Sequence, residues 1–290
     1  MGIENQTLRF LLRSKGAVSY EKLLMLGRQG CYMKLDELRQ MLRQAGLPSA
    51  EVHSALTTVQ KTRFMEPVLK LLGAQEIESL DFSDYEQATI VHDLNHPIPD
   101  SLRERFSCVF DGGSLEHVFD FPRAIENAME MVSVGGHFLG IGPVNNWPGH
   151  GFYQFSPELY WRIFSEPNGY EVEEMIVCET ESDAPFYRVP DPEKTGLRVE
   201  FKNSRRTYLM VRARRLRRAE LFKTPPQQSD YEAIWSRHTE PSPAPGSEKL
   251  AARIKRLLPL RVRAILRPLM PRALAPKVLR KLRACGFEEV

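Results

Sequence analysis

The amino-acid sequence predicts an α/β protein with a doubly wound, mostly parallel sheet that carries helices on both faces. Apolar segments of strand length recur along the chain, and segments with helical periodicity separate them. Several of the strand-like segments end in Gly or Asp. Because ligands bind beyond the carboxyl ends of strands in such sheets, these polar endings predict a binding site along that edge.

The composition is that of an ordinary soluble globular protein. The 290 residues are 42% hydrophobic and 27% charged, which allows one large α/β domain and an appendage. No signal peptide and no apolar run of about 20 residues is present, so we expect a cytoplasmic protein. The four cysteines have neither the pairing nor the neighbouring histidines of a zinc site.

The predicted elements alternate in type. In chain order we expect a strand at 21–27, helices at 35–46 and 63–74, strands at 76–83, 88–95 and 106–113, a helix from 121, a strand at 137–143, a helix at 156–165 and strands at 170–179 and 206–215. Asp120 and Pro122 predict the start of the helix at 121, since Asp is a favoured N-cap and Pro a favoured first-turn residue. Gly135 and Gly136 follow its end.

The charge distribution predicts three regions. Between Lys249 and Phe287 the chain has twelve Lys or Arg and no Asp or Glu, although its overall net charge is only +3. A Pro- and Ser-rich stretch precedes this basic segment. We therefore predict an α/β domain at 1–238, a linker at 239–248 and a basic amphipathic helical tail at 249–290.

The segment 110–143, "FDGGSLEHVFDFPRAIENAMEMVSVGGHFLGIGP", resembles the class I S-adenosylmethionine-dependent methyltransferases, in their small-molecule branch. The likeness extends over about residues 20–215 in the order of strands, glycine loop and Asp-terminated strands. The block "GHGFYQFSPE" at 149–158 is similar to a subgroup seen in surface-glycan or secondary metabolism. The resemblance implies a last strand antiparallel to the others and S-adenosylmethionine as the cofactor.

The resemblance also implies the roles of individual residues toward that cofactor. Glycines after the first strand would let the backbone approach its methionine part, and a carboxylate after the second strand would accept its ribose hydroxyls. The residues in these and neighbouring positions are Gly27, Gly30, Asp81, Asp93, Leu94, Asp111 and Gly112. Arg28 and Gln29 replace the small residues usual in the first loop, so a non-catalytic protein with a degenerate cofactor loop is the alternative.

The candidate catalytic residues are His150, Glu116 and His117. Methyl transfer to an oxygen requires removal of the acceptor's proton, and histidine can accept a proton near neutral pH. His150 lies between two glycines after the fifth predicted strand, although the aromatic residues that follow it also suit a packed structural histidine. No metal ligands are predicted: His92 and His96 have no partner at ligand spacing.

Two function classes follow from these observations. One is O-methylation of a small molecule or a lipid-linked glycan, and the other is binding or scaffolding by the same fold. Nucleic acid is not the expected substrate, because "DGGSLEH" stands where base-methylating relatives carry an Asn/Asp-Pro-Pro-aromatic block. The basic tail suits an anionic membrane surface, such as the inner face of the plasma membrane, with docking on the body, a second subunit or RNA as alternatives.

Overall fold

A computed structural model of the chain describes residues 2–196, 198–229, 231 and 288–290. The predicted linker at 239–248 and all but the last three residues of the predicted tail at 249–290 lie outside the described residues. Among the residues described, no helix is long and apolar enough to cross a membrane.

The described strands form one large sheet and one small ribbon. In chain order the strands are β1 (Gly2–Ile3), β2 (Lys22–Leu26), β3 (Gly30–Cys31), β4 (Glu76–Asp81), β5 (Ile90–Val91), β6 (Phe106–Asp111), β7 (Val132–Asn145), β8 (Tyr170–Glu179), β9 (Tyr187–Arg188), β10 (Thr207–Arg215) and β11 (Glu288–Glu289). The large sheet has the order β11-β9-β8-β10-β7-β6-β2-β4-β5, and β1 pairs with β3 in the ribbon.

The predicted doubly wound, mostly parallel sheet is confirmed. Strands β5, β4, β2, β6 and β7 are parallel to one another, whereas β10 is antiparallel to both β7 and β8. This is the strand arrangement that the resemblance to class I methyltransferases implied, with the antiparallel strand β10 inserted between β7 and β8. Chain order reverses at β2, which pairs with β4 on one side and β6 on the other, so the switch point lies between β2 and β6.

Helices cover both faces of the sheet. In chain order they are α1 (Asn5–Ser14), α2 (Leu35–Gln44), α3 (Ser49–Thr62), α4 (Glu66–Leu71), α5 (Phe121–Met131), α6 (Pro157–Ile163) and α7 (Pro192–Thr195). Side chains of β2 alternate between two apolar cores: Leu23 packs with residues of α1 to α4, and Leu24 packs with residues of α5 and α6. This alternation explains why β2 and β6 are apolar over most of their length.

Several element boundaries differ from the sequence prediction. Helices α1 and α3 were not predicted, and α2 to α4 fill the unusually long connection between β2 and β4. The strand predicted at 88–95 is only Ile90–Val91, so Asp93 lies in the turn after it. Glu116 and His117 lie in a separate 3-10 turn (Leu115–His117) shortly before α5.

The helix cap predicted before α5 is confirmed. The Asp120 carboxylate accepts a hydrogen bond from the backbone N–H of Arg123 at 3.2 Å, and Pro122 lies in the first turn of the helix. The cap fixes where the chain leaves the 3-10 turn and enters α5.

Candidate functional site

The ends of the parallel strands lie side by side at one edge of the sheet. Leu26 at the end of β2 pairs with Leu80 of β4 and with Asp111 of β6. Asp111 in turn pairs with Gly140 of β7. The loops that follow β2, β4 and β6 therefore meet at this edge, and most of the sequence-predicted site residues lie in or beside them.

Gly27 and Asp81 are neighbours at the switch point. Gly27 has a left-handed backbone (φ 70°), and its N–H donates to the Leu80 carbonyl at 2.8 Å. A side chain at position 27 would contact the Ser114 hydroxyl at 2.8 Å and would lie 3.9 Å from Asp81 Oδ2. Among the described residues, nothing donates a hydrogen bond to the half-buried Asp81 carboxylate, so it is available to a ligand.

Gln29 fills the space between the first loop and Gly112. Its side chain is fully buried, and its Nε2 donates to the carbonyls of Leu26 and Gly27, each at 3.1 Å. A Cβ at Gly112 would collide with the Gln29 Oε1, which has no hydrogen-bond partner among the described residues. The Gln29 amide therefore occupies the space at the first loop where Gly27 and Gly30 were predicted to let the cofactor approach.

Arg28 is held away from that space. Its Nε is 2.6 Å from Glu66 Oε1, its Nη1 donates to the Glu86 carbonyl at 3.0 Å, and its guanidinium lies 3.8 Å from the centre of the Phe64 ring. These contacts join the loop after β2 to the loop after β4. Of the two bulky residues in the first loop, only Gln29 reaches the predicted cofactor region.

The other predicted cofactor residues have local structural contacts. Asp93 Oδ1 accepts from the backbone N–H of Asn95 at 2.9 Å and from its side-chain amide at 2.7 Å, and these bonds lower the pKa of Asp93. Leu94 is buried in the core beneath the turn, and Gly30 pairs with the N-terminal segment in the small ribbon. The structure therefore places Gly30 outside the corner formed by Gly27, Asp81 and Gly112.

Asp111 is buried beneath the loop that follows β6. Its Oδ1 accepts from the backbone N–H of Ser114 at 2.7 Å, with longer contacts to those of Gly113 and Leu115. Its Oδ2 is buried without a partner among the described residues. Burial raises the pKa of Asp111 above the usual range, and the backbone donors oppose that rise. Asp111 thus shapes the loop that carries Glu116.

The three candidate catalytic side chains come together. Ligand atoms of Glu116, His117 and His150 all lie within 4.8 Å of one another. His150 Nε2 is 3.5 Å from Glu116 Oε1, and the two imidazole ring centres are 4.9 Å apart. We call these three side chains the Glu–His–His cluster. The structure joins residues that are more than thirty positions apart in the sequence.

Backbone contacts hold the His150 loop against the Glu116 turn. The Glu116 carbonyl accepts hydrogen bonds from the N–H groups of Phe152 at 2.7 Å and Tyr153 at 3.3 Å. Gly151 has φ 68°, and a Cβ there would lie 2.7 Å from the Glu116 carbonyl oxygen. Only glycine permits this approach, which brings His150 to the cluster.

Trp147 packs against His150 and is itself held by two contacts. The ring of Trp147 is 5.0 Å from the His150 ring, and its Nε1 donates to the Thr207 carbonyl at 3.0 Å. Arg206 lies 4.7 Å from the centre of the Trp147 ring. Sequence reasoning did not identify Trp147, Arg206 or Ser114, because their roles depend on contacts between distant loops.

The protonation state of the cluster follows from its burial. Burial, together with the neighbouring Asp111 carboxylate, raises the pKa of Glu116 well above its usual range. Burial lowers the pKa of both His117 and His150, with His150 also repelled by the Arg206 charge. All three shifts favour the uncharged form of the group, and a neutral imidazole at His150 can accept a proton.

Comparison with protein-family models finds no match for the chain, and comparison with curated protein sequences finds none either. Solved structures with a similar fold include a proposed methyltransferase from Bacillus halodurans C-125 (12% identity, covering 72% of this chain and 98% of that one, TM-score 0.40). A SAM-dependent methyltransferase from Aquifex aeolicus has 11% identity, coverage of 71% and 87%, and a TM-score of 0.38.

M. jannaschii TYW2, solved in complex with AdoMet, has 10% identity, coverage of 74% of this chain and 78% of that one, and a TM-score of 0.36. At TM-scores below 0.5 these likenesses carry no argument about activity or ligands. The fold is therefore assigned from the strand order and register of the chain itself.

Proposed function

We propose that the protein is an S-adenosylmethionine-dependent methyltransferase that transfers the methyl group to an oxygen of a small molecule or a glycan. The observation that carries this proposal is the Glu–His–His cluster at the carboxyl edge of a sheet with class I methyltransferase topology. Groups that exchange protons are needed there if the acceptor is a hydroxyl.

Gly27 and Asp81 are the residues that would hold the cofactor. The unpartnered Asp81 carboxylate can accept hydrogen bonds from ribose hydroxyls, and the left-handed Gly27 allows close approach of the backbone. Gln29 does not exclude a ligand permanently, since rotation of its side chain would clear the space above Gly112 without a change in the backbone. When bound, the cofactor supplies an electrophilic methyl group.

His150 is the proposed general base. Its side chain is 39% exposed, so an acceptor hydroxyl can reach it, and its imidazole is neutral near pH 7. Glu116 lies beneath it and orients the ring from the buried side. The acceptor's proton would pass to the imidazole as the new bond to oxygen forms.

Exposed aromatic rings beside the cluster support an acceptor with an apolar face. Phe119 and Phe152 are 74% and 66% exposed, and their ring centres are 5.8 Å apart in an edge-to-face arrangement. Each ring lies two residues beyond a histidine of the cluster. Large exposed aromatics next to a polar site are typical of a ligand-contact surface, and a sugar ring or a small apolar molecule would suit them.

The experiment that tests the proposal compares the parent protein with His150→Ala. We expect turnover with a panel of hydroxyl acceptors to fall by about 10²–10⁴, with cofactor affinity nearly unchanged, as for loss of a general base. His53→Ala, an exposed histidine on α3, is the control and should retain full turnover. An unchanged rate in His150→Ala would assign the residue to loop packing.

A second candidate function is favoured by one observation. The buried Gln29 amide fills the predicted methionine corner, as expected of a protein that kept the fold for binding or scaffolding and lost the cofactor. Calorimetric titration with S-adenosylmethionine separates the two: binding supports the enzyme, and its absence from both the parent and Gln29→Ala supports the scaffold.

We also propose that the basic segment, which lies outside the described residues, attaches the protein to an anionic membrane surface. Its twelve cationic residues could each contribute about 1 kcal/mol near an anionic leaflet. This attachment would place the active site beside lipid-linked acceptors.

A further inference from the structure

The geometry of the Glu–His–His cluster matches a metal site as well as a proton-transfer site. A tetrahedral cation with bonds of ~2.1 Å holds its ligand atoms ~3.4 Å apart. His150 Nε2 and Glu116 Oε1 are already 3.5 Å apart. His117 contributes a third ligand atom within 4.8 Å of both, so a modest change of side-chain torsions would complete the set.

Glu116 provides a second, independent observation. Its side chain is 2% exposed, and its Oε2 has no hydrogen-bond partner among the described residues. A buried carboxyl oxygen without a donor or a cation costs free energy in the folded protein. A half-turn about the last side-chain torsion exchanges the two carboxyl oxygens, so a cation bound between Glu116 and the two imidazoles could be held by either oxygen or by both.

We infer that Glu116, His117 and His150 form a binding site for a divalent transition-metal cation, with zinc as the best match. Two imidazoles and one carboxylate suit zinc, whereas magnesium and calcium prefer ligand sets made of oxygen. Three protein ligands leave a fourth position open. The side chains approach the site from two different segments, so neither segment alone carries the sequence spacing of a metal motif.

The surrounding structure supports a preformed site that a cation can enter. Glu116 and His150 are positioned by the hydrogen bonds of Phe152 and Tyr153 to the Glu116 carbonyl and by the close approach of Gly151. The 39% exposure of the His150 side chain gives a route from solvent. Such a framework lowers the cost of ordering the ligands on binding.

The role of the cation rests on the proposed function, but its binding does not. The exposed side chain of His150 leaves the cluster open to an acceptor from solvent. With zinc bound, His150 would be a ligand rather than a free base. The cation would then replace the base by lowering the pKa of an oxygen bound beside it, and the acceptor's proton would pass to solvent. Binding of zinc alone is measured without cofactor or acceptor, which keeps the two proposals separate.

The test is calorimetric titration of the full chain with zinc chloride after treatment with EDTA and its removal. We expect one tight equivalent in the parent and in His53→Ala, the exposed-histidine control. Glu116→Gln and His150→Ala should bind that equivalent at least about tenfold more weakly, since even supporting residues of metal sites contribute that much.

Thermal unfolding with and without zinc gives a second readout. Zinc should raise the Tm of the parent and of His53→Ala, and should raise that of Glu116→Gln and His150→Ala much less. If a substituted protein fails to fold, His117→Ala replaces it. Absence of tight zinc binding to the parent, or equal binding by all variants, would overturn the inference whether or not S-adenosylmethionine binds.

Discussion

Removal of the Gln29 amide should strengthen cofactor binding. In the described conformation the side chain lies between the first loop and Gly112, and it must leave before a ligand can occupy that space. Leaving breaks two hydrogen bonds from its Nε2, to the carbonyls of Leu26 and Gly27. The Leu26 carbonyl still accepts from the Ser114 hydroxyl at 2.6 Å, so it is not left without a donor.

The magnitude follows from these two bonds. Each neutral hydrogen bond contributes a net ~0.5–1.5 kcal/mol after exchange with water, so breaking both should cost about 1–3 kcal/mol. The parent protein must break these bonds to bind the cofactor and Gln29→Ala has none to break, so we expect the Kd of the variant to be lower by about 5- to 150-fold.

The assay is calorimetric titration with S-adenosylmethionine, with Gln75→Ala, an exposed glutamine, as the control. Thermal unfolding of Gln29→Ala checks that the loss of a buried side chain leaves the protein folded. If Gln29→Ala binds the cofactor no more tightly than the parent, the side chain does not obstruct the site, and the reasoning about the first loop is refuted.

Three further predictions concern other parts of the molecule. Asp81→Ala should weaken cofactor binding by about 2–3 kcal/mol, roughly 30- to 150-fold, because charge-assisted hydrogen bonds are lost. The control Asp84→Ala, at an exposed position in the same loop, should bind like the parent, and equal Kd values for Asp81→Ala and the parent would refute the assignment. Gly151→Ala should destabilise the fold by about 1–3 kcal/mol in chemical denaturation, because φ is 68° and the new Cβ would meet Glu116; an unchanged midpoint would contradict the close approach. Deletion of the chain after Ser247 should abolish co-sedimentation with anionic vesicles at low salt, and failure of the intact chain to sediment would refute the membrane role.

The sheet could be predicted from the sequence because most of its longer strands contain an apolar run, such as residues 23–26 in β2 and 108–110 in β6. Gly27 directly follows β2, and β4 and β6 end at Asp81 and Asp111, so these residues mark the carboxyl edge. Helices α1 and α3 were missed. The residues 49–62 of α3 expose most of their surface and carry several Thr and Ser, so their apolar face is narrow and gives a weak periodic signal.

The candidate site was only partly predictable. Sequence reasoning selected Glu116, His117 and His150 separately, but nothing local in the chain shows that the loop around His150 folds back onto the Glu116 turn. That contact depends on the bonds of Phe152 and Tyr153 and on the conformation of Gly151. Tertiary contacts of this kind have no sequence period, so a metal-ligand geometry made of two distant segments was not foreseen.

The burial of Gln29 could not be predicted from the sequence either. A polar residue between two glycines is expected to face solvent, yet this amide is fully buried against Gly112. The Gln29 Nε2 donates to two backbone carbonyls of its own loop, those of Leu26 and Gly27. These local hydrogen bonds offset the cost of burying the amide.

The measurement that tests the central claim most directly is calorimetric titration of the full chain and of Asp81→Ala with S-adenosylmethionine. The proposed methyltransferase should bind one equivalent, and Asp81→Ala should bind it roughly 30- to 150-fold more weakly. No binding by the parent and none by Gln29→Ala would contradict the claim and leave a methyltransferase fold that serves another purpose.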